Sequence, residues 1–557
     1  MRNQIFTLLL CAIAVQGADA KVRTTSQMIG EAARVLATKG NSMKAKSAGE
    51  LKVLKREAQI SIVGYENGRN VVIANDDTFK PVLAYYTADP NGKQNPALEW
   101  WMQTMNESLA EMLENGEQPD DIVLKDGYKT EVAPLLSTAW GQETPFNDQC
   151  PTYTKGGREY NYVTGCVATA MAQVLKYYQY PAKGKGSCKW VYSGDESTGT
   201  SIRVAFNTTY DWANMLNKYT GSYNEAQANA VARLMRDCGA ASQMQYASDG
   251  SGSNYATALR GMRKNLRFDY ASKMYHRSFN PKSVWMGMIY EELNEGRPIL
   301  YAGATKDGAG HAFVFDGYDK DGLVHVEWGW DGSGDGYFDV DMLNSDQGAF
   351  SESQNMVLVR KPETTDYNEY QSMWGLGSSL DFSLNGSILN IGKITFYNLD
   401  VDNFTGQVQL LCINTQDNSG GLLSNIGELS DVETYRGGSV SLGKVDLSQT
   451  TLKDGQYQLF FASHSTSEDT PEQGWMPMFG GDGMVSNYIL TIKNGKYTLQ
   501  EGNDDFSLPT GINKVTTTAT NAYKDSRVYS IDGQVMGNDI NAMGKGLYIV
   551  NGKKVMK

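Results

Sequence analysis

Val163-Thr164-Gly165-Cys166-Val167-Ala168-Thr169-Ala170 is a turn that runs straight into a helix. Gly165 permits a tight turn that residues with a Cβ resist. The Ala, Met, Val and Leu that follow favour a helix from Cys166 to Tyr178, and Pro181 stands just beyond its end. This places a sulfur at a helix N-terminus, where the dipole and free N–H groups favour thiolate over thiol. Taken alone, a cysteine before an apolar helix reads more readily as a buried structural thiol. Its neighbours decide the matter.

Upstream lies Trp140-Gly141-Gln142, and downstream comes a stretch expected to be helical from Asn224 to Cys238. A Gly/Ser loop follows at Ser248-Asp249-Gly250-Ser251-Gly252-Ser253, then a helical stretch from Val284 to Leu293. After Pro298 the pattern turns to strands: Ile299 to Tyr301, His311 to Phe315, Leu323 to Trp328 and Gly336 to Val340. Helices first and strands later predict an α+β domain over 131–362. Only four histidines exist, so the search for a base partner is short. His311 opens an apolar strand in Gly310-His311-Ala312-Phe313-Val314-Phe315-Asp316-Gly317, a place from which it reaches a cleft. His325 alternates with Val324 and Val326, which predicts a polar face shared with Glu327. His276 and His464 have no supporting context.

A nucleophilic cysteine needs a base and donors for an oxyanion. The Cys166 N–H supplies one donor, and the Gln142 amide is the candidate for the second. Trp328-Gly329-Trp330 offers an aromatic wall beside an imidazole, or simply core aromatics. Asp331, Ser333 and Asp335 lack the closing glutamate of a calcium loop and read as a turn. There is no CxxC, HExxH, P-loop or GxSxG, so the motifs call for no metal and no cofactor.

On either side lie further units. Arg2, the apolar run Ile5 to Val15 and Ala18-Asp19-Ala20 have the form of a signal peptide over 1–20, which predicts a secreted or cell-surface protein. That run is too short to span a membrane. Residues 21–130 form one α+β unit: strands at Ile60 to Val63 and Val71 to Ala74, then a helix after Asn95-Pro96 with Leu98, Trp101, Met102, Met105, Leu109 and Met112 on one stripe. Residues 363–510 read as an all-β sandwich. Residues 511–557 are a linker and two hairpins, one with Asp532-Gly533 and one with Asn551-Gly552 as the turn. Beyond the signal, five cysteines remain, an odd and sparse set that excludes a disulfide scaffold. The net charge of -13 argues against a nucleic-acid partner.

Taken together and in order, Trp140-Gly141-Gln142 with Pro145-Phe146-Asn147, Thr164 to Ala170, Tyr177-Tyr178-Gln179-Tyr180-Pro181, the Gly/Ser loop, Gly310 to Gly317 and Trp328-Gly329-Trp330 resemble the streptopain family of papain-like cysteine peptidases. The resemblance implies a papain-like catalytic domain with a Cys166 thiolate and His311 imidazolium, and Gln142 as oxyanion donor. It implies that Trp328 stands where papain has an asparagine orienting the histidine, with Trp330 completing the wall. Gly250, Ser251 and Gly310 are then expected to line the substrate cleft. Glu327 departs from the pattern, because streptopain has an asparagine there.

Val71 to Asp77 and Pro81 to Tyr85 are similar to the family's inhibitory propeptide, which implies a zymogen cut somewhere in 125–135. The stretch Val528 to Lys557 is similar to the C-terminal sorting domain of type IX secretion in Bacteroidetes, which implies the secretion machinery as a partner. The expected function is a secreted endopeptidase acting on proteins and peptides. The competing readings are a surface inhibitor or adhesin with an inert papain-like part, and a papain-like amidase.

Overall fold

The computed structural model describes residues 22–39, 50–66, 68–89, 92, 95–116, 124–194, 199–248, 250–304, 310–341, 354–362, 374–466, 475–481 and 483–503, and four short strands between 528 and 556. The expected signal peptide, the 511–525 linker and the Asp532-Gly533 and Asn551-Gly552 turns lie outside these residues.

Local chemistry accounts for the helices. Thr24 and Gln27 exchange hydrogen bonds at the start of α1 (Thr25–Lys39). Asn95 accepts from the N–H groups of Ala97 and Leu98 to open α2 (Pro96–Asn115), a cap worth about 1 kcal/mol. Gly165 precedes α3 (Cys166–Tyr178). A full capping box of Asn224 and Gln227 starts α4 (Glu225–Ala241), and Asn254 caps α5 (Tyr255–Lys264). The last of the described helices is α6 (Lys282–Asn294). Neither α1 nor α5 was expected from the sequence.

The N-terminal strands are β1 (Lys52–Arg56), β2 (Ile60–Gly64), β3 (Arg69–Ala74) and β4 (Val82–Thr87). Two separate hairpins follow, β5 (Thr152–Lys155) with β6 (Arg158–Asn161), and β7 (Ser187–Tyr192) with β8 (Thr200–Ala205). Then come β9 (Lys273–His276), β10 (Ile299–Ala304), β11 (Gly310–Tyr318), β12 (Val324–Glu327), β13 (Gly336–Phe338) and β14 (Asn355–Leu358). Ten of these make one antiparallel sheet in the order β1-β2-β3-β4-β13-β12-β11-β10-β14-β9. The N-terminal four strands therefore continue the sheet of the following stretch, with Tyr85 opposite Tyr337 at the β4–β13 seam.

Each face of the sheet carries a core. Along β11, Ala312 and Val314 pack with α3, α4 and α5 (Met171, Val174, Leu234, Leu259). Phe313 and Phe315 pack the other way, with Trp101 of α2 and Trp285 and Ile289 of α6. A strand buried on both faces holds its mouth residue, His311, rigidly. The sheet also explains one difference from the sequence reading. His325 and Glu327 do share a face, but α3 and the chain at 135–138 cover it, so Glu327 is buried and His325 nearly so. Alternation tells which side chains share a face and not what lies over it.

Residues 374–501 fold into two antiparallel sheets around a core that includes Trp374, Leu389, Phe396, Phe404, Leu459 and Phe461. One of its strands runs unbroken from Ile388 to Asn398. This body is tied to α5: buried Arg263 bonds Asp400 at 3.0 Å and Asp402 at 2.5 Å, and Arg260 donates to the Val401 carbonyl. Near the C-terminus, Val528–Ser530, Val535–Gly537, Leu547–Val550 and Lys553–Met556 form a four-stranded sheet. All five cysteines from Cys150 onward carry free thiols. No described helix is long and apolar enough to cross a membrane.

Candidate active site

Gly165 has φ 84° and ψ 144°, and a Cβ there would lie 2.7 Å from both the Ser251 carbonyl oxygen and the Met244 Sδ. The turn before α3 is thus pressed against the Gly/Ser loop, and only glycine fits. Cys166, partly buried, is the first residue of α3. Its sulfur receives hydrogen bonds from the N–H groups of Val167 and Ala312 and contacts the His311 ring. The helix start and the second residue of β11 thereby meet at one atom.

His311 Nε2 lies 3.0 Å from the Trp328 carbonyl oxygen. A carbonyl only accepts, so Nε2 carries a proton and Nδ1 is left to face the thiol. Burial opposes charge on both groups, raising the Cys166 pKa and lowering that of His311. Their mutual attraction and hydrogen bond win: Cys166 ends below its ordinary value and His311 above its own. Each group thus favours the charged form of the other, the electrostatic setting that a nucleophilic thiol beside a proton donor requires.

The aromatic residues surround the imidazole. Phe313, Trp328 and Trp330 have ring centroids 6.1, 6.4 and 6.4 Å from it. The Trp328 indole Nε1 donates to the Gly334 carbonyl at 3.1 Å, and the Trp328 atom that hydrogen-bonds His311 is its main-chain oxygen. Gln142 lies beside the cysteine turn, where its carbonyl accepts the Thr164 N–H at 3.1 Å. Ser251 is buried behind Gly165, while Gly250 and Gly310 are exposed. Asp331 to Gly334 is a turn, and Asp331 N–H donates to the Trp140 carbonyl, joining the turn to the segment that carries Gln142. Among the described residues, no group of three or more His, Cys, Asp or Glu side chains is arranged to hold a metal.

Sequence reading missed the polar layer beneath this site. Thr138 donates to Gln173 at 2.8 Å, and Gln173 donates to Glu327 Oε2 at 2.8 Å. The Gly329 N–H reaches the same oxygen, and Asp335 accepts the Trp328 N–H at 3.0 Å. His325 Nδ1 pairs with Asp316 at 2.6 Å. The one available signal was Glu327, a carboxylate directly before Trp328.

Comparison with known proteins points the same way as the geometry. The Peptidase C10 family model matches residues 140–338. The thiol protease/hemagglutinin PrtT of Porphyromonas gingivalis is 31% identical over 320 residues, 53% of this chain and 36% of that protein. The chain thus spans little more than a third of that relative's length. Streptopain of Streptococcus pyogenes is 29% identical over 326 residues, 54% of this chain and 80% of that protein. A fragment of Prevotella intermedia prointerpain A superposes with a TM-score of 0.51 at 39% identity, covering 56% of this chain and 98% of that structure.

Proposed function

Because this chain belongs to the Peptidase C10 family, we propose that it is a cysteine endopeptidase with Cys166 as nucleophile and His311 as acid and base. The observation that carries the reading is the Cys166–His311 contact, with His311 Nε2 tied to the Trp328 carbonyl. The thiolate adds to a peptide carbonyl, and the charge that develops on oxygen is met by the Cys166 N–H and the Gln142 amide. His311 gives its proton to the leaving amine as the C–N bond breaks. Neutral His311 then takes a proton from water, which attacks the thioester and frees the acid and the thiolate. Gly250 and Gly310 border the substrate, with Ser251 supporting the turn.

The N-terminal unit is proposed to be the inhibitory propeptide. The likeness to prointerpain A and the shared sheet support this reading. Export through the first 20 residues, and sorting through the sheet at 528–556, complete the proposal. The test follows precursor size and labelling by a thiol-directed peptide probe in wild type and Cys166→Ala. Self-cleavage and labelling are expected in wild type alone. Labelling without cleavage of any protein would favour an amidase, and cleavage that survives Cys166→Ala would refute the assignment.

A further inference from the structure

We propose that Glu327 is a positioning residue: as a neutral acid it ties Asp335, Gln173 and the Gly329 N–H together and so fixes the Trp328 carbonyl that holds His311. The inference rests on the peptidase reading of Cys166 and His311.

The geometry sets the protonation. Glu327 is 2% exposed. Its Oε2 is occupied by two donors, the Gln173 amide at 2.8 Å and the Gly329 N–H at 3.2 Å. Its Oε1 is sealed from water and meets no donor. The Asp335 carboxyl, which accepts the Trp328 N–H, faces Glu327 closely enough for a shared hydrogen bond to favour its charged form. Two carboxylates share a hydrogen bond only when one of them holds a proton. Oε1, the oxygen without a donor, is the one left to carry it. Asp335 suits the accepting role because it also takes the Trp328 N–H and is drawn toward the charged form by His325.

The consequence for His311 is direct. Residues 327 to 329 are clamped at three successive points: the Glu327 side chain, the Trp328 N–H on Asp335 and the Gly329 N–H on Glu327. The peptide carbonyl between the last two is the one that His311 donates to. A shift of this turn therefore moves the imidazole relative to Cys166. Misplacement of a catalytic group by about 1 Å costs on the order of 100-fold in rate.

The surrounding charges fix the direction of the pH effect. Asp335 faces Glu327 from the turn and Asp316 from β11, both disfavouring its ionisation. His325, on its own strand, is bonded to Asp316 and offsets the charge at Asp335. From α3 comes only the neutral Gln173. Burial and Asp335 hold Glu327 well above the usual carboxylate range, with Asp335 itself pushed up to about 6. The folded chain thus keeps a proton that the unfolded chain releases near pH 4.5. Stability of this cluster falls as pH rises from there through the raised Glu327 value. Above it, two adjacent buried anions push the turn apart.

The experiment compares processed wild type with Glu327→Gln and Glu327→Ala. It measures kcat and KM on one peptide substrate from pH 5 to 9, and the pH midpoint of Cys166 alkylation. A glutamine amide donates to Asp335 where the acid did, and its carbonyl still accepts from Gln173 and Gly329. Near pH 6, Glu327→Ala is expected to lower kcat by about 10- to 100-fold with KM within about threefold. Glu327→Gln should recover most of that loss and carry its alkaline limb to higher pH than wild type. Glu327→Gln as slow as Glu327→Ala, Glu327→Ala as fast as wild type, or coincident alkaline limbs for wild type and Glu327→Gln would each overturn the inference. If Glu327→Ala does not fold, the two remaining pH profiles decide alone. A wild type without Cys166-dependent cleavage sinks the peptidase reading instead, whereas an active wild type with indifferent Glu327 variants sinks this inference only.

Discussion

Replacing His311 with alanine tests the charge arrangement at its source. In the structure, burial acts against the Cys166 thiolate more strongly than any other influence, and His311 supplies the two largest opposing ones. The Val167 and Ala312 N–H groups are weaker. Without His311, burial prevails and the thiol returns to its ordinary value of 9.0 or above. At pH 6 roughly one molecule in a thousand would then be ionised. In wild type the His311 pairing holds the thiol below its ordinary value, so its removal should slow alkylation at pH 6, in part offset because a less acidic thiol gives a more nucleophilic thiolate. The pH midpoint of alkylation is the cleaner measure and should rise to about 9 or above. The assay is iodoacetamide alkylation of Cys166 followed by mass, from pH 4 to 10. Wild-type activity should be bell-shaped, with an acid limb set by the depressed thiol and an alkaline limb set by loss of the Glu327 proton, the raised imidazolium setting that limb only in Glu327→Gln. A midpoint in His311→Ala within about half a unit of wild type would refute the pairing.

Two further substitutions probe the frame around the site. Gly165→Ala forces a Cβ to 2.7 Å from the Ser251 carbonyl at a positive φ, so it should cost about 2 kcal/mol or more and lower kcat/KM; thermal unfolding matching the parent to within about 1 °C would contradict that. Arg263→Met removes the 3.0 Å ion pair to buried Asp400 and should cost about 3–5 kcal/mol, read in denaturant as early release of the 374–501 body from α5; adding Asp400→Leu should restore part of the loss, and no restoration would argue against the buried pair.

The part of the fold legible in the sequence is the part written in local chemistry. Gly165 and the apolar run after Cys166, Asn95-Pro96, and the apolar run at 311–315 all named their elements. Thr24 with Gln27 is a capping box, and Asn254 a cap after the Gly/Ser loop, so α1 and α5 had signals that were passed over. Strand pairing between β4 and β13 had none, because it joins residues about 250 positions apart through backbone groups common to every residue type. The site divides in the same way. Cys166, His311 and Gln142 stand out by type and order. The hydrogen bond that holds His311 goes to a carbonyl of Trp328, which any residue type could present, so residue type carries no signal for it.

That main-chain hold is gripped from two directions. From outside, the Thr87 N–H donates to the Asp335 carbonyl, the Gly334 N–H to the Thr87 carbonyl at 2.9 Å, and the Asn95 amide to the Ser333 carbonyl at 2.6 Å. From inside, Glu327 and Asp335 fix residues 327–329, and the Trp328 indole pins Gly334. If the N-terminal unit is the propeptide, its removal takes away the outer three bonds, each worth about 0.5–1.5 kcal/mol net. It also exposes the edge of β13. The inner bonds belong to the catalytic stretch and remain. The geometry at His311 in the processed enzyme then depends on the buried Glu327 and Asp335 pair holding one proton, with Glu327 tying the turn together through Gln173 and the Gly329 N–H.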